Sequence, residues 1–421
     1  MNVRRTGSPK GLLFFMRINF LAQPHSLQGK EKNEMQNMKC RFGFRSMWET
    51  LMALTVLACV CAGLANAQVR NVGAATAFSV QNAEAAVDFV NAKPMQLPSN
   101  PLSPDTTKAL IGALQSKQQF GTPGHSDGHA GTGISDSEFL GTPAFTGNKA
   151  APQDYGTSDH PFSTAEADLN GFAVNKKYPY SPAGKLYFLI SGATYWCSAS
   201  LIAPGIIVAA GHCVANYGAS QFYSGWQFSP GYRNGSAPFK KWTVYQAWIL
   251  TAYYNGTDGC AVYGVVCPDD VAVLILNPVK ATGAYPGPKT GWFGYGWNGY
   301  GFVSTITQIT QLGYPGGLDN GSLMERNDSY GYVNSDYSNN TIIGSNMNGG
   351  SSGGPWLVNF GTPPALTGES DGSAPDPQIV VGVTSWGYTD LTVKEQGAAP
   401  FTSGNITVLV TAACGSVPGA C

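Results

Sequence analysis

From about residue 176 the chain alternates short apolar runs with turn-forming residues. Runs at 185–190, 194–202, 205–210, 242–250, 271–276, 306–312, 356–359 and 379–385 are rich in β-branched and aromatic side chains, with Gly, Pro, Asn, Asp and Ser between them. Many short strands at this spacing predict an all-β barrel or sandwich. Residues 402–413 fit a strand or a terminal helix equally, and no internal repeat or heptad pattern is present.

Upstream the pattern fades. Residues 68–165 are rich in Gly, Pro, Ser, Thr and Asp, with few large apolar side chains after Val90. Such a composition predicts a largely mobile segment that buries little core, apart from a short helix over 82–91. His125 and His129 have metal-like spacing, but they stand in a glycine-rich stretch and read as solvated histidines. Further upstream, Lys39, Arg41 and Arg45 precede an apolar segment at 51–64 that closes on Ala65-Asn66-Ala67. This is the layout of a secretory signal cleaved after Ala67, too short for a membrane anchor. The chain thus divides into an N-terminal extension and signal (1–67), a pro-segment (68–165) and a main domain (166–421).

Charge and composition narrow the partners. Only 12% of residues are charged and the formal net charge is -1, so there is no basic field for nucleic acid. With 53 glycines, the profile is that of a loop-rich extracellular protein, expected to act as a monomer without stable membrane insertion.

The chemistry gathers at three places. His212, the last of the five histidines, stands in Ala209-Ala210-Gly211-His212-Cys213 after the run Ile206-Ile207-Val208. Asp270 opens Val271-Ala272-Val273-Leu274-Ile275-Leu276, and Ser352 lies in Gly350-Ser351-Ser352-Gly353-Gly354-Pro355, 140 residues after His212. A serine hydroxyl needs a base to take its proton as it attacks a carbonyl, and imidazole has the right pKa for that task. A buried carboxylate on the far ring nitrogen fixes the tautomer, and glycines beside the serine let backbone N–H groups face the developing oxyanion. Asp269 competes with Asp270, but Asp270 directly abuts the strand. The Gly-x-Ser-x-Gly string also fits an esterase elbow, which needs its histidine after the serine; none follows His212. A secreted β-rich adhesion module would leave the His, Asp, Ser order as coincidence. A catalytically inactive, peptide-binding relative stays open.

These stretches resemble the secreted chymotrypsin-like serine proteases, and most nearly their bacterial glutamyl-endopeptidase-like branch. Further matches are Tyr178-Pro179-Tyr180 through Phe188, Cys197-Ser198-Ala199-Ser200-Leu201-Ile202, Gly313-Tyr314-Pro315 with Met324, and Gly382-Val383-Thr384-Ser385-Trp386-Gly387. The resemblance implies two six-stranded antiparallel barrels with the site in the cleft between them, His212 and Asp270 on the first and Ser352 on the second. It implies a serine endopeptidase acting through an acyl-enzyme, with Gly350 and Ser352 as oxyanion donors and a protein or peptide substrate, and it needs no cofactor or metal. Two departures stand out: Gly211 precedes the histidine where alanine is usual, and Ser351 precedes the nucleophile where Asp or Asn is usual. In the trypsin group a freed N-terminal ammonium pairs with that carboxylate and orders the oxyanion loop. A neutral hydroxyl cannot reproduce that pair, so the loop is expected to be preformed and residues 68 to about 165 to cover the cleft or assist folding.

Cys40, Cys59 and Cys61 fall in the signal region, leaving six cysteines. Cys197 with Cys213 matches the family disulfide, while Cys260 with Cys267 and Cys414 with Cys421 can close small local loops. No Cys-x-x-Cys pair exists, so oxidised pairs in an exporting compartment are the better reading than metal. Substrate preference is sought in Asn346, Met347, Thr384, Ser385, Trp386 and Gly387. Asn346, six positions before Ser352, takes the place where trypsin-like enzymes carry Asp, and Thr384 the place where glutamyl endopeptidases carry histidine. A neutral or polar substrate residue is expected.

Overall fold

The computed structural model describes residues 68–80, 86–115, 121–134, 160–168, 173–302, 306–332, 342–361 and 374–421. The signal segment with its three cysteines and residues 82–85 lie outside the described residues. Strands β1 (Ala183–Ile190), β2 (Ala193–Ala203), β3 (Ile206–Ala209), β4 (Ser224–Pro230), β5 (Trp242–Leu250) and β6 (Ala272–Leu276) pair in the order β5-β4-β1-β2-β3-β6. β6 returns to β5, which closes a six-stranded antiparallel barrel and leaves no open edge within the ring. Leu186, Phe188, Leu201, Phe228, Ile249 and Leu274 are fully buried inside it. Each such side chain contributes about 1.5–3 kcal/mol by leaving water, and together they fix the strand ends that carry the site.

Strands β7 (Ile306–Gly313), β8 (Glu325–Tyr332), β9 (Ile342–Gly344), β10 (Pro355–Val358), β11 (Ile379–Tyr388) and β12 (Glu395–Pro400) follow. They pair in the order β10-β7-β8-β9-β12-β11, and β11 returns to β10, a ring consistent with the second barrel. The fold is mostly β with few helices, as the resemblance implied. The segment that fitted strand or helix is a helix, Ile406–Ser416. Asn405 caps it by accepting from Ile406 N, and Ile406, Leu409 and Ala413 are fully buried against the first barrel. Cys197–Cys213, Cys260–Cys267 and Cys414–Cys421 are bonded.

Residues 68–165 differ from the composition-based expectation. Gln68–Val72 and Ala75–Ser79 form a hairpin, and Ala75–Ser79 adds to β5 over Gln246–Leu250, beyond the reach of β4. Ala75, Thr76 and Ala77 are fully buried there. Small side chains sufficed because backbone pairing to an existing strand, not bulk, holds them. Phe162–Glu166 pairs with β8, so the division at residue 165 falls inside a strand. Described residues 86–91 are not helical; a helix instead spans Pro104–Gln115. His125 is not merely solvated: its Nε2 lies 3.3 Å from Asp127 Oδ1 and 3.1 Å from Asp376 Oδ2. His129 stacks on Trp292.

Candidate active site

β3 delivers the chain into a short 3₁₀ turn, Gly211–Cys213, which the Cys197–Cys213 bond ties back to β2. His212 on that turn is buried, and its Nδ1 lies 2.8 Å from Asp270 Oδ2. The backbone N–H of His212 donates to Asp270 Oδ1 at 2.7 Å, and the Ser385 hydroxyl donates to Oδ2 at 2.6 Å. Asp270 is therefore buried but held by three donors, the condition under which a carboxylate keeps its charge away from water. Asp269 turns elsewhere: its backbone N–H donates to Asp258 Oδ2. Burial, and then the neighbouring Asp258, hold the Asp269 carboxyl well above its ordinary range, and burial pushes Asp258 up to about 6.

Gly211 has a local reason. A Cβ there would stand 3.1 Å from Asp270 Oδ1 and 3.2 Å from Tyr253 Cε1, tighter than a neighbour readily allows. Its place beside Asp270 is taken by the buried Tyr253 ring, whose phenol is pushed well above its ordinary pKa by burial and by Asp270.

Ser352 reaches the same corner from the second ring. Its carbonyl accepts from Ser198 N at 2.8 Å. Gly353 N donates to Thr384 O at 2.8 Å, and a Cβ on Gly353 would lie 2.4 Å from Ser198 O and 2.8 Å from Ala210 N. With φ +76°, this position requires glycine, and the loop seats directly on the strand end that leads to His212. Ser352 Oγ and His212 Nε2 are both buried, and neither has a hydrogen-bond partner among the described residues. Hydroxyl and ring nitrogen in serine-base pairs are often loosely aligned before substrate binds.

Gly350, at φ +96°, also cannot carry a side chain: a Cβ would meet Trp196 Nε1 and Tyr314 O, each at 2.6 Å. Its N–H donates to Met95 O at 2.7 Å. The stretch around Met95 crosses this corner as an extended chain. Lys93–Pro94 pairs parallel with Tyr195–Trp196 of β2, Met95 N donates to Trp196 O at 2.9 Å, and Ser99–Asn100 pairs parallel with Gly387–Tyr388 of β11.

Beside it lies a cavity of about 270 Å³ lined by Asn346, Met347, Asn348, Gly387, Lys394 and Gln396, among others, and roofed by Gln96 and Leu97. Lys394 Nζ lies 3.3 Å from Asn346 Oδ1. Of the residues expected to read the substrate, Asn346, Met347 and Gly387 line this cavity. Thr384 does not: its hydroxyl accepts from Gln311 and Trp356 in the interior. Ser385 is committed to Asp270, and Trp386 is buried beside Tyr388. Lys394 and Gln396 were not singled out, because nothing in their own stretch marks them; only the pairing of β12 with β11 brings them to the cavity. A larger cavity of about 600 Å³ near Phe239 and Tyr285 lacks any of the three reactive residues.

The trypsin family sequence model matches residues 179–403, more than half of the chain, and the chain belongs to that family of serine endopeptidases. Among solved structures it is similar to protease Anisep from Arthrobacter nicotinovorans, at 22% identity over 58% of this chain and 97% of that one, with a TM-score of 0.43. It is also similar to the thermostable serine protease AL20 from an extremophilic microorganism (22% identity, 53% and 93% covered, TM-score 0.41). A third is a Glu endopeptidase in complex with MPD (20% identity, 62% and 97% covered, TM-score 0.42). A search of curated protein sequences found no match.

Proposed function

We propose that this chain is a secreted endopeptidase that cleaves peptide bonds through an acyl-enzyme on Ser352. The observation that carries the reading is the His212 Nδ1 to Asp270 Oδ2 contact, with every Asp270 oxygen engaged by a donor. That contact assigns the ring proton to Nδ1 and leaves the Nε2 lone pair as base. Nε2 takes the Ser352 proton as Oγ bonds to the substrate carbonyl carbon. The electron pair displaced onto the carbonyl oxygen is met by the N–H groups of Gly350 and Ser352, and Asp270 stabilises the imidazolium. Nε2–H then protonates the leaving amine, and water repeats the sequence to release the acid. Asn346, Asn348, Lys394 and Gln396 fit the cavity to a polar substrate side chain.

Residues 68–165 act in this reading as a pro-segment that holds the enzyme latent, since Met95 O already occupies the Gly350 donor. The three disulfides favour export, and no helix among the described residues is long and apolar enough to cross a membrane. A fluorophosphonate probe tests both parts. The full chain is expected to label slowly, to label faster after limited proteolysis of the N-terminal region, and not to label as Ser352→Ala. Equal labelling of Ser352→Ala, with loss in Ser351→Ala, would move the nucleophile by one residue.

A further inference from the structure

In the trypsin group an ion pair orders the oxyanion loop, and here that device is missing. Ser351 stands where the carboxylate would be, and its hydroxyl turns back into its own loop, donating to Asn348 O at 2.7 Å. Something else must fix the peptides around Gly350, because a glycine at φ +96° has little of its own to hold it.

The carbonyls of the loop show what does. Gly349 O accepts from Gly316 N at 2.7 Å, Ser351 O from Gly354 N at 2.9 Å, and Ser352 O from Ser198 N at 2.8 Å. All three partners are main-chain groups, which any sequence supplies. The fourth carbonyl, Gly350 O, is bound by a side chain: the Ser198 hydroxyl donates to it at 2.9 Å. Ser198 Oγ in turn accepts from Tyr314 N at 2.9 Å, so the hydroxyl is aligned from both sides, and Ser198 is 1% exposed. Trp196 Nε1 donates to Tyr314 O at 3.0 Å and braces the strand end behind it. Ser198 thus grips the loop twice, by its N–H at Ser352 and by its hydroxyl at Gly350, on either side of Ser351.

We propose that Ser198 is a positioning residue for the oxyanion site, its hydroxyl replacing the ion pair that orders this loop elsewhere in the family. The inference rests on the reading of Ser352 as nucleophile and Gly350 N as oxyanion donor. With Gly349 O and Gly350 O both held, the two peptides flanking Gly350 have fixed planes, and the Gly350 N–H stays turned toward the cleft. Without the hydroxyl, Gly350 O and Tyr314 N lose their buried partner, and the Gly350–Ser351 peptide is held only by the Ser351 N to Asn348 O bond, which loosens the turn that aims the Gly350 N–H.

Wild type and Ser198→Ala are expressed as the full chain and carried through the same processing, with working sites counted by the fluorophosphonate. Ser198→Ala is expected to lower kcat about tenfold to a hundredfold, less than the roughly hundredfold to thousandfold lost when an oxyanion donor is removed outright, while KM changes less than about twofold. Affinity for a peptidyl boronate, whose oxygen needs the oxyanion donors, should fall by the same factor as kcat. Affinity for a reduced-amide peptide, which has no such oxygen, should not fall. Should Ser198→Ala fail to fold, Ser198→Cys, similar in shape but a weaker donor, is read in the same way. Unchanged kcat and boronate affinity would overturn the proposal, and so would an equal loss of both ligands, which marks general disruption. A wild type without peptidase activity would instead overturn the reading of the site on which this rests.

Discussion

The first barrel presents His212 and Asp270 from strand ends packed among Leu186, Phe188, Phe228, Ile249 and Leu274, with a disulfide across the histidine turn. The second ring, which carries Ser352, buries Thr310, Gln311, Glu325, Asn327, Ser345, Thr384 and Gln396. Gln311 Nε2 donates to Thr384 Oγ1 and Gln396 Oε1, and its Oε1 accepts from Ser345. Apolar packing sets position by volume and is indifferent to pH. Directed hydrogen bonds set angles, and they fail when one partner or one proton is lost. The strand ends that carry His212 and Asp270, the proposed base and carboxylate, are thus set by packing, and the loop of Ser352, the proposed nucleophile, and the cavity by polar geometry.

Asp270→Asn should produce the largest effect of all. The remaining oxygen can still accept from the His212 backbone N–H, and the Ser385 hydroxyl can turn to accept from the new amide, so the barrel should fold. The carboxamide no longer selects the Nδ1–H tautomer or stabilises imidazolium, and kcat is expected to fall about 10,000-fold. Peptide hydrolysis measured beside circular dichroism checks this; a loss under tenfold in a folded protein would remove Asp270 from its role and with it the division of labour between the rings.

A second test asks whether the polar ring is the pH-sensitive one. Glu325 on β8 is fully buried, with the carboxyl side chain of Asp319 nearby. Burial, then the Asp319 side chain and the charges of Glu166 and Asp168, push it up to about 9 from an ordinary 4.5. Between those values the folded chain keeps a proton that the unfolded chain has released, so the group's stabilising contribution is full below about 4.5 and is lost as pH rises towards 9. Lys185 on β1 works the other way, since burial lowers its ammonium to about 7 and stability rises with pH above that. The useful quantity is therefore the difference between wild type and Glu325→Gln in urea unfolding at pH 5 and pH 9. Wild type should lose on the order of a few kcal/mol relative to the variant. Parallel profiles would mean Glu325 is not protonated in the fold.

The same contrast explains what the sequence made legible. Most strands of the first barrel are apolar and β-branched, and 242–250 was read to its ends as Trp242–Leu250. The candidate order His212, Asp270, Ser352 stood out because each residue lies close to an apolar run. The strands Glu325–Tyr332 and Glu395–Pro400 did not, because their sequences, such as ERNDSYGY, carry the polar groups of the second interior or small residues; Ser224–Pro230 of the first barrel was missed because Gly225, Ser229 and Pro230 dilute its two aromatic residues. The strands of residues 68–165 exist only where another strand offers an edge, which no local pattern records. The helix Pro104–Gln115 was missed, although its start signal is in the sequence: Ser103 accepts from Thr106 N as an N-cap, followed by proline and aspartate in the first turn.

The smallest expected effect comes from Gln311→Leu, and it separates the cavity from the chemistry. Gln311 is fully buried on β7 and supports two side chains that hold Met347: Gln396 Nε2 donates to Met347 O at 2.6 Å, and Ser345 Oγ accepts from Met347 N at 3.2 Å. Leucine has nearly the same volume but no hydrogen-bonding atom, so Ser345 and Gln396 each lose a partner in the interior. The cost to stability is about 1–3 kcal/mol. Met347 lines the cavity, whereas the Ser352 loop keeps its own bonds to Ser198 and Thr384. KM for a peptide substrate should therefore rise several-fold while kcat stays within about twofold, because binding is loosened and the reacting geometry is not. Equal losses in kcat and KM would show that the polar network positions Ser352 as well, and that cavity and nucleophile form one unit.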